Sequence, residues 1–196
     1  MLINSMDMAH FVARGFLRLD AVVPREINQA FLAALNLLEA DRQALPASHL
    51  SKLMELEIIP EVPPGTKLEK VYVTGSPLDR MLKLPEVSGA IESLIGKDPV
   101  FDHHFLHLAF PEAAFKNNPE RHVSQHLHQD STIDPRKTFD IQVFYFPHAV
   151  TAVMGGTRFL PGSHFRIVSE AAISRYQNIL GQESVVCPAG SVLIMH

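Results

Sequence analysis

Near residue 99 the hydrophobic pattern of this chain changes period. Ahead of that point apolar residues recur at helical spacing. Ile27, Phe31, Ala34, Leu35 and Leu38 form one stripe behind Pro24, whose missing N–H costs nothing in a first helical turn. Shorter helices are predicted over 7–14, stopped by Gly15, and over 86–95, between Pro85 and Gly96. Residues 16–19 alternate and predict a strand. Beyond residue 99, segments 100–110, 139–146, 157–160, 183–186 and 191–195 read as strands between Pro, Gly and Asn turns, with a further extended segment at 122–129. Pro46, Pro60, Pro63, Pro64 and Gly65 punctuate 45–76, which reads as a long loop and a candidate lid. Helices first and strands after predict an α+β chain with a mainly β core, a β-sandwich or small barrel carrying the site. We read 1–196 as a single domain with a helical part, 1–98, and a strand-rich part, 99–196.

Composition narrows the function classes. Seventeen Lys and Arg against 21 Asp and Glu leave a formal charge of −4, without basic runs, which argues against a nucleic-acid partner. No apolar run reaches the roughly 18 residues of a membrane span, and residues 1–7 lack the pattern of a signal peptide. A lone cysteine, Cys187, permits neither an internal disulfide nor a Cys-based zinc cluster, so a cytoplasmic setting is expected. Histidine departs from the ordinary: of 11, eight lie between His103 and His164. Imidazole titrates near neutrality and ligates metals, so this local excess directs attention to a metal site.

The strongest local pattern is His126-Leu127-His128-Gln129-Asp130. On a strand, alternate residues share a face, which would let His128 and Asp130 converge on one ion. Imidazole with carboxylate suits Fe(II), Mn(II) or Zn(II), and a third histidine would complete a facial two-His-one-carboxylate set. A second pattern, Gly155-Gly156-Thr157-Arg158-Phe159-Leu160-Pro161-Gly162-Ser163-His164, reads as turn, short strand, turn. Ser163 and His164 are placed to hydrogen-bond turn backbone, so a structural role is expected for His164.

Together these patterns resemble the phytanoyl-CoA dioxygenase family of Fe(II)- and 2-oxoglutarate-dependent oxygenases. The family carries His-Gln-Asp, here His128-Gln129-Asp130, followed by a Gly-rich turn and Pro-Gly-Ser-His, here Gly155-Gly156 and Pro161-Gly162-Ser163-His164. The opening from Phe11 to Leu19, with the Pro24 helix, is also similar. The resemblance implies a double-stranded β-helix, a jelly roll with the N-terminal helices packed outside. It implies His128 and Asp130 as metal ligands, and Fe(II), 2-oxoglutarate and O2 as cofactor and cosubstrates. It implies hydroxylation of a C–H bond of a small organic substrate with release of succinate and CO2, because Asp130 keeps the carboxylate that related halogenases lack. Leu106 and Phe144 match family positions that line 2-oxoglutarate.

In the family a distal histidine ligand and a 2-oxoglutarate-binding arginine follow the strand that resembles 189–196. Their counterparts would lie beyond His196, which matches a residue preceding that ligand. His103, His104, His107 and His148 are conceivable third ligands without a motif behind them. The jelly roll needs about eight strands and about six are legible, so C-terminal strands are expected to be missing from this sequence, or supplied by a partner chain. The rival reading is a catalytically inactive jelly-roll binding module lacking the third ligand. A cupin-type metal enzyme built on His126 and His128 ranks lower, since Asp130 comes too early and Asp134 too late for its glutamate. Substrate and oligomeric state are left open.

Overall fold

The computed structural model describes residues 2–36, 58–107, 127–129, 139–166, 169–174 and 178–196. Helix α1 (Ser5–Arg14) begins a little earlier than the spacing predicts, because the Asn4 side chain accepts from the Asp7 amide and caps it. It stops at Gly15, whose φ of 77° and N–H to the Phe11 carbonyl make a left-handed cap. Strand β1 (Phe16–Leu19) and helix α2 (Arg25–Asn36) follow as predicted. Within 58–76, expected to be loop, lie a two-residue strand β2 (Thr66–Lys67) and a 3-10 turn over Leu68–Lys70. Residues 45–57 of that loop fall outside the described residues.

A short helix, α3 (Pro77–Leu82), was not anticipated from the apolar pattern. Its local signals are Ser76, which caps the Asp79 amide, and Pro77 in the first turn. Helix α4 (Pro85–Ile95) ends at Gly96, as expected. The predicted strand 100–110 is a correction: among its described residues only β3 (Val100–Phe101) is strand, 102–107 runs without regular structure, and 108–110 lie outside the described residues. Residues 102–104 turn aside instead, where His103 bonds its neighbour Asp102 and His104 bonds Tyr72. Of the predicted extended segment 122–129, residues 127–129 carry no strand assignment, and 122–126, like Asp130, lie outside the described residues. The remaining elements are β4 (Gln142–Phe146), β5 (Arg158–Phe159), the four-residue helix α5 (Glu170–Ile173), β6 (Glu183–Ser184) and β7 (Ser191–Met195). Apart from β2, which was expected to be loop, each strand is shorter than or equal to its predicted span.

The strands form an antiparallel three-stranded sheet in the order β1-β7-β4 and two short antiparallel pairs, β2 with β3 and β5 with β6. β7 is central. Leu17 and Val143 flank Ile194, while Arg18 and Phe144 flank Leu193. Period-two alternation therefore sends two rows of side chains to opposite faces. Val192 and Ile194, with Leu17, pack on Phe11, Val23, Ile27, Met81, Val87 and Ile91, so this face is covered by α1 to α4. Leu193 packs on Val150, Phe159, Val185 and Cys187, with Phe16, Phe144 and Phe146 around it. A strand buried on both faces reads as a continuous apolar run, which is what Val192-Leu193-Ile194-Met195 is. Each of these fully buried aliphatic side chains contributes about 1.5–3 kcal/mol.

The mixture of helix and sheet agrees with the predicted α+β class. An N-terminal strand, β1, joins the same sheet as the C-terminal β7, so the first part of the chain supplies sheet as well as covering helices. Among the described residues no helix is long and apolar enough to cross a membrane.

Candidate functional site

The segment bearing His128 contacts the chain just past the second motif. His128 is half-buried, and the neighbouring Gln129 donates its side-chain N–H to the backbone carbonyl of Arg166, just past the Pro161-Gly162-Ser163-His164 stretch. That stretch is a turn followed by a 3-10 turn over Ser163–Phe165, and the Arg166 amide closes it on the Ser163 carbonyl at 2.9 Å. Before it, β5 lies between the Gly155-Gly156 turn and Pro161-Gly162, as the pattern of turn, strand, turn predicts.

His164 has the structural role expected of it. Its Nε2 lies 3.0 Å from the Val12 carbonyl, and the Gly162 amide donates to the Arg14 carbonyl at 2.8 Å. Both acceptors are last-turn carbonyls of α1 that have no partner inside the helix. The motif turn is thus a C-terminal cap for a helix 152 positions away in sequence. Because a carbonyl can only accept, the ring donates to it through Nε2–H. Among the described residues Nδ1 is buried without a partner, and it faces the bare Cα of Gly15. A Cβ at Gly15 would lie 2.4 Å from it, so the approach needs glycine as much as the left-handed φ does. An ion pair of 2.6 Å between Arg14 and Glu183 adds a second tie from α1 to β6.

His196 sits beside this junction. Its amide donates to the Gly15 carbonyl at 3.0 Å, its ring stacks on Phe139 at 4.5 Å, and it meets His164 edge-on at 5.4 Å. Its own Nδ1 is also buried without a partner among the described residues. Burial first, and then the neighbouring His164, hold its pKa below the ordinary histidine value, against the opposing pull of Asp140. A depressed folded-state value means the neutral ring is favoured by folding. The associated stability is present above the unfolded value of about 6.5 and is lost as pH falls through the folded value. The urea midpoint is therefore expected to fall between pH 7.5 and pH 5, and a His196→Gln variant to show a shallower fall. Equal slopes in the two proteins would refute the assignment.

The other predicted residues are dispersed. Phe144, on β4, turns away from the helices into the Leu193 cluster and is half-buried there. Leu106 packs instead with Leu35, Ile58 and Ile59, in a separate cluster. Asp130 lies outside the described residues. Of the conceivable third ligands, His103 bonds Asp102 at 2.6 Å, His104 bonds the Tyr72 hydroxyl at 3.2 Å, His107 lies against Phe105, and His148 bonds the Ala149 carbonyl at 2.9 Å. Burial pushes the Tyr72 hydroxyl up to about 12, so it stays protonated opposite His104. Among the described residues no three His, Cys, Asp or Glu side chains gather as a metal site. Two surface hollows of about 560 and 470 Å3 both include Tyr72, and neither is lined by His128 or Phe144.

Gln129 escaped the sequence reading as a residue with a task of its own, although its place between His128 and Asp130 was visible. Its partner is a backbone carbonyl 37 positions away, and no side-chain pattern marks such an acceptor.

The structure thus has a sheet backed by helices on one face, and a His-Gln segment bonded to the chain just past the Pro-Gly-Ser-His turn. The sequence profile of the phytanoyl-CoA dioxygenase (PhyH) family matches residues 11–196, and the chain belongs to that family. Among solved structures it is similar to HygX from Streptomyces hygroscopicus, crystallised with nickel and 2-oxoglutarate bound. The two share 12% identity and a TM-score of 0.48, over 100% of this chain and 78% of that one. Among curated proteins there is no significant match.

Proposed function

We propose that this protein is an Fe(II)- and 2-oxoglutarate-dependent dioxygenase that hydroxylates a small organic substrate. Membership of the family, with both motifs complete in this sequence, is the observation that carries the reading. The tie between Gln129 and the carbonyl of Arg166 supports it, because it brings the first motif to the chain just past the second.

The donor set fits the metal in kind. A half-buried imidazole at His128 and a carboxylate at Asp130, two positions on, are the nitrogen and oxygen donors that Fe(II) accepts. His128 and Asp130 would hold the ion. Together with 2-oxoglutarate and O2, the bound metal supplies the oxidising chemistry: the keto acid leaves as succinate and CO2, and one oxygen enters a substrate C–H bond. The protein's share is placement and exclusion of water. Phe144 and the Leu193 cluster offer an apolar wall on the sheet face opposite the helices. The jelly-roll closure, the small-molecule partner and the cytoplasmic setting belong to the same proposal.

The test is iron-dependent conversion of 2-oxoglutarate to succinate by the purified chain. His128→Ala and Asp130→Ala are each expected to lower it by at least about 100-fold, since removing a ligand removes the metal that does the work. Turnover retained in either variant would overturn the ligand assignment. A folded wild type that binds 2-oxoglutarate without turning it over would favour the binding-module reading instead.

A further inference from the structure

We infer that the contact between His164 and His196 is a pH-operated latch, which holds the last turn of α1 on the 161–166 turn and on β7 at neutral pH and releases it in acid. The latch needs neither a metal nor a cosubstrate. Three bonds to the end of α1 meet at this contact. His164 donates through Nε2–H to the Val12 carbonyl at 3.0 Å, and the Gly162 amide donates to the Arg14 carbonyl at 2.8 Å. The His196 amide donates to the Gly15 carbonyl at 3.0 Å, one step past the β1–β7 ladder. The two rings stand edge-on with centroids 5.4 Å apart.

A neutral imidazole can leave one nitrogen as a bare lone pair, whereas an imidazolium carries N–H on both. Among the described residues, Nδ1 of each ring is buried without a partner. A proton on Nδ1 of His164 would point at the backbone of Gly15, where a Cβ would already lie 2.4 Å from that nitrogen. His196 is enclosed by Phe139, stacked at 4.5 Å, and by the His164 ring. Protonation therefore buries a donor without an acceptor, and a second proton sets like charges side by side. The charged groups nearby do not reverse this. Asp140 favours a charged His196, but burial and His164 outweigh it. Arg14 is turned to Glu183 at 2.6 Å, and His10 meets Phe16 instead. The end of α1 attracts a cation, yet its Val12 and Arg14 carbonyls already hold their donors. Since folding favours the neutral His196 ring, the latch is closed above the unfolded value of about 6.5 and opens as pH falls through the lower folded value. The opening is local: Phe11 is 4% exposed and pins α1 to the core, while Val12, Ala13 and Arg14 beyond it are exposed.

The experiment is amide hydrogen exchange of the full chain by NMR at pH 7.5 and pH 5, expressed as protection factors so that the pH dependence of chemical exchange drops out. The amides of Gly162 and of residue 196 report the latch, and those of Val192, Leu193 and Ile194 report the core. In wild type the two latch amides are expected to lose at least about 10-fold in protection at pH 5, the effect of one pH unit on a titrating group, while the core amides keep theirs. A double variant, His164→Gln with His196→Phe, keeps a donor for Val12 and a ring on Phe139 but has nothing to titrate there, so its loss is expected to vanish. An equal loss in both proteins, no loss in wild type, or a loss that the core amides share would each overturn the latch. A second measurement needs no variant: the ring protons of His196 are titrated in wild type. Their midpoint is expected to coincide with that of the Gly162 protection loss, and a separation of more than about one pH unit would also overturn it.

Discussion

Gly190→Ala is expected to destabilise the protein by about 3–5 kcal/mol, the largest effect of a single methyl group in this structure. Gly190 opens β7 with a φ of 79°, where an L side chain is strained. Its amide donates to the Phe146 carbonyl at 2.8 Å, and its carbonyl accepts from the Val23 amide at 2.9 Å. The residue is therefore pinned on both sides, between the end of β4 and the approach to α2. A Cβ would lie 2.4 Å from the Val23 carbonyl oxygen and 2.8 Å from the Asn28 side-chain nitrogen. Neither neighbour is free to retreat. The Val23 oxygen is backbone, and Asn28 is held by its bond to that same oxygen at 3.2 Å and by the Tyr145 hydroxyl at 2.5 Å. For a chain of this size the loss corresponds to a fall in Tm of about 10 °C. Thermal unfolding followed by circular dichroism measures it, and a fall of less than about 2 °C would show that the close approach is relieved at little cost.

Truncation of the central strand comes next. Leu193→Ala and Ile194→Ala are each expected to cost about 2–5 kcal/mol, as transfer of the lost atoms plus the cavity left behind. The two residues are 1% and 0% exposed, yet they face opposite ways, Leu193 to the Phe144 side and Ile194 to the helices. Similar losses from both would establish that β7 is covered on both faces. Val186→Ala, at 46% exposure, serves as the control and should stay within about 0.5 kcal/mol. Urea unfolding of the three variants decides the matter. A small effect from Leu193→Ala alone would mean that the face bearing Phe144 is not a packed one.

The functional motifs and the main helices could be read without coordinates because their signals are local. Asn4 and Gly15 bracket α1, and Pro85 and Gly96 bracket α4, each within one turn of the helix end it determines. The apolar run at 191–195 signalled a buried strand by composition alone. Strand ends were less legible. The run from 100 to 110 has the composition of a strand, but pairing stops at Phe101 because β2, its partner, offers only Thr66 and Lys67. Strand length is set by the partner as much as by the strand. Leu106 and Phe144 show the same limit for the site: both are apolar residues on extended stretches, and they were grouped only through the family pattern. In the fold one packs with Ile59 and the other with Leu193.

By itself, then, the sequence determined three of the helices and the glycine stops of two of them, an apolar strand at 191–195, the order of helix before strand, and the two motifs that place the chain in its family. Tertiary structure alone decided that β1 pairs with β7, from opposite ends of the chain, that His164 caps α1, and that Gln129 reaches the carbonyl of Arg166. The physical reason is the range of the forces that act in each case. Capping and periodicity depend on residues within a few positions of one another. Pairing and tethering depend on backbone donors and acceptors that look alike in every sequence, and only burial against particular neighbours selects among them.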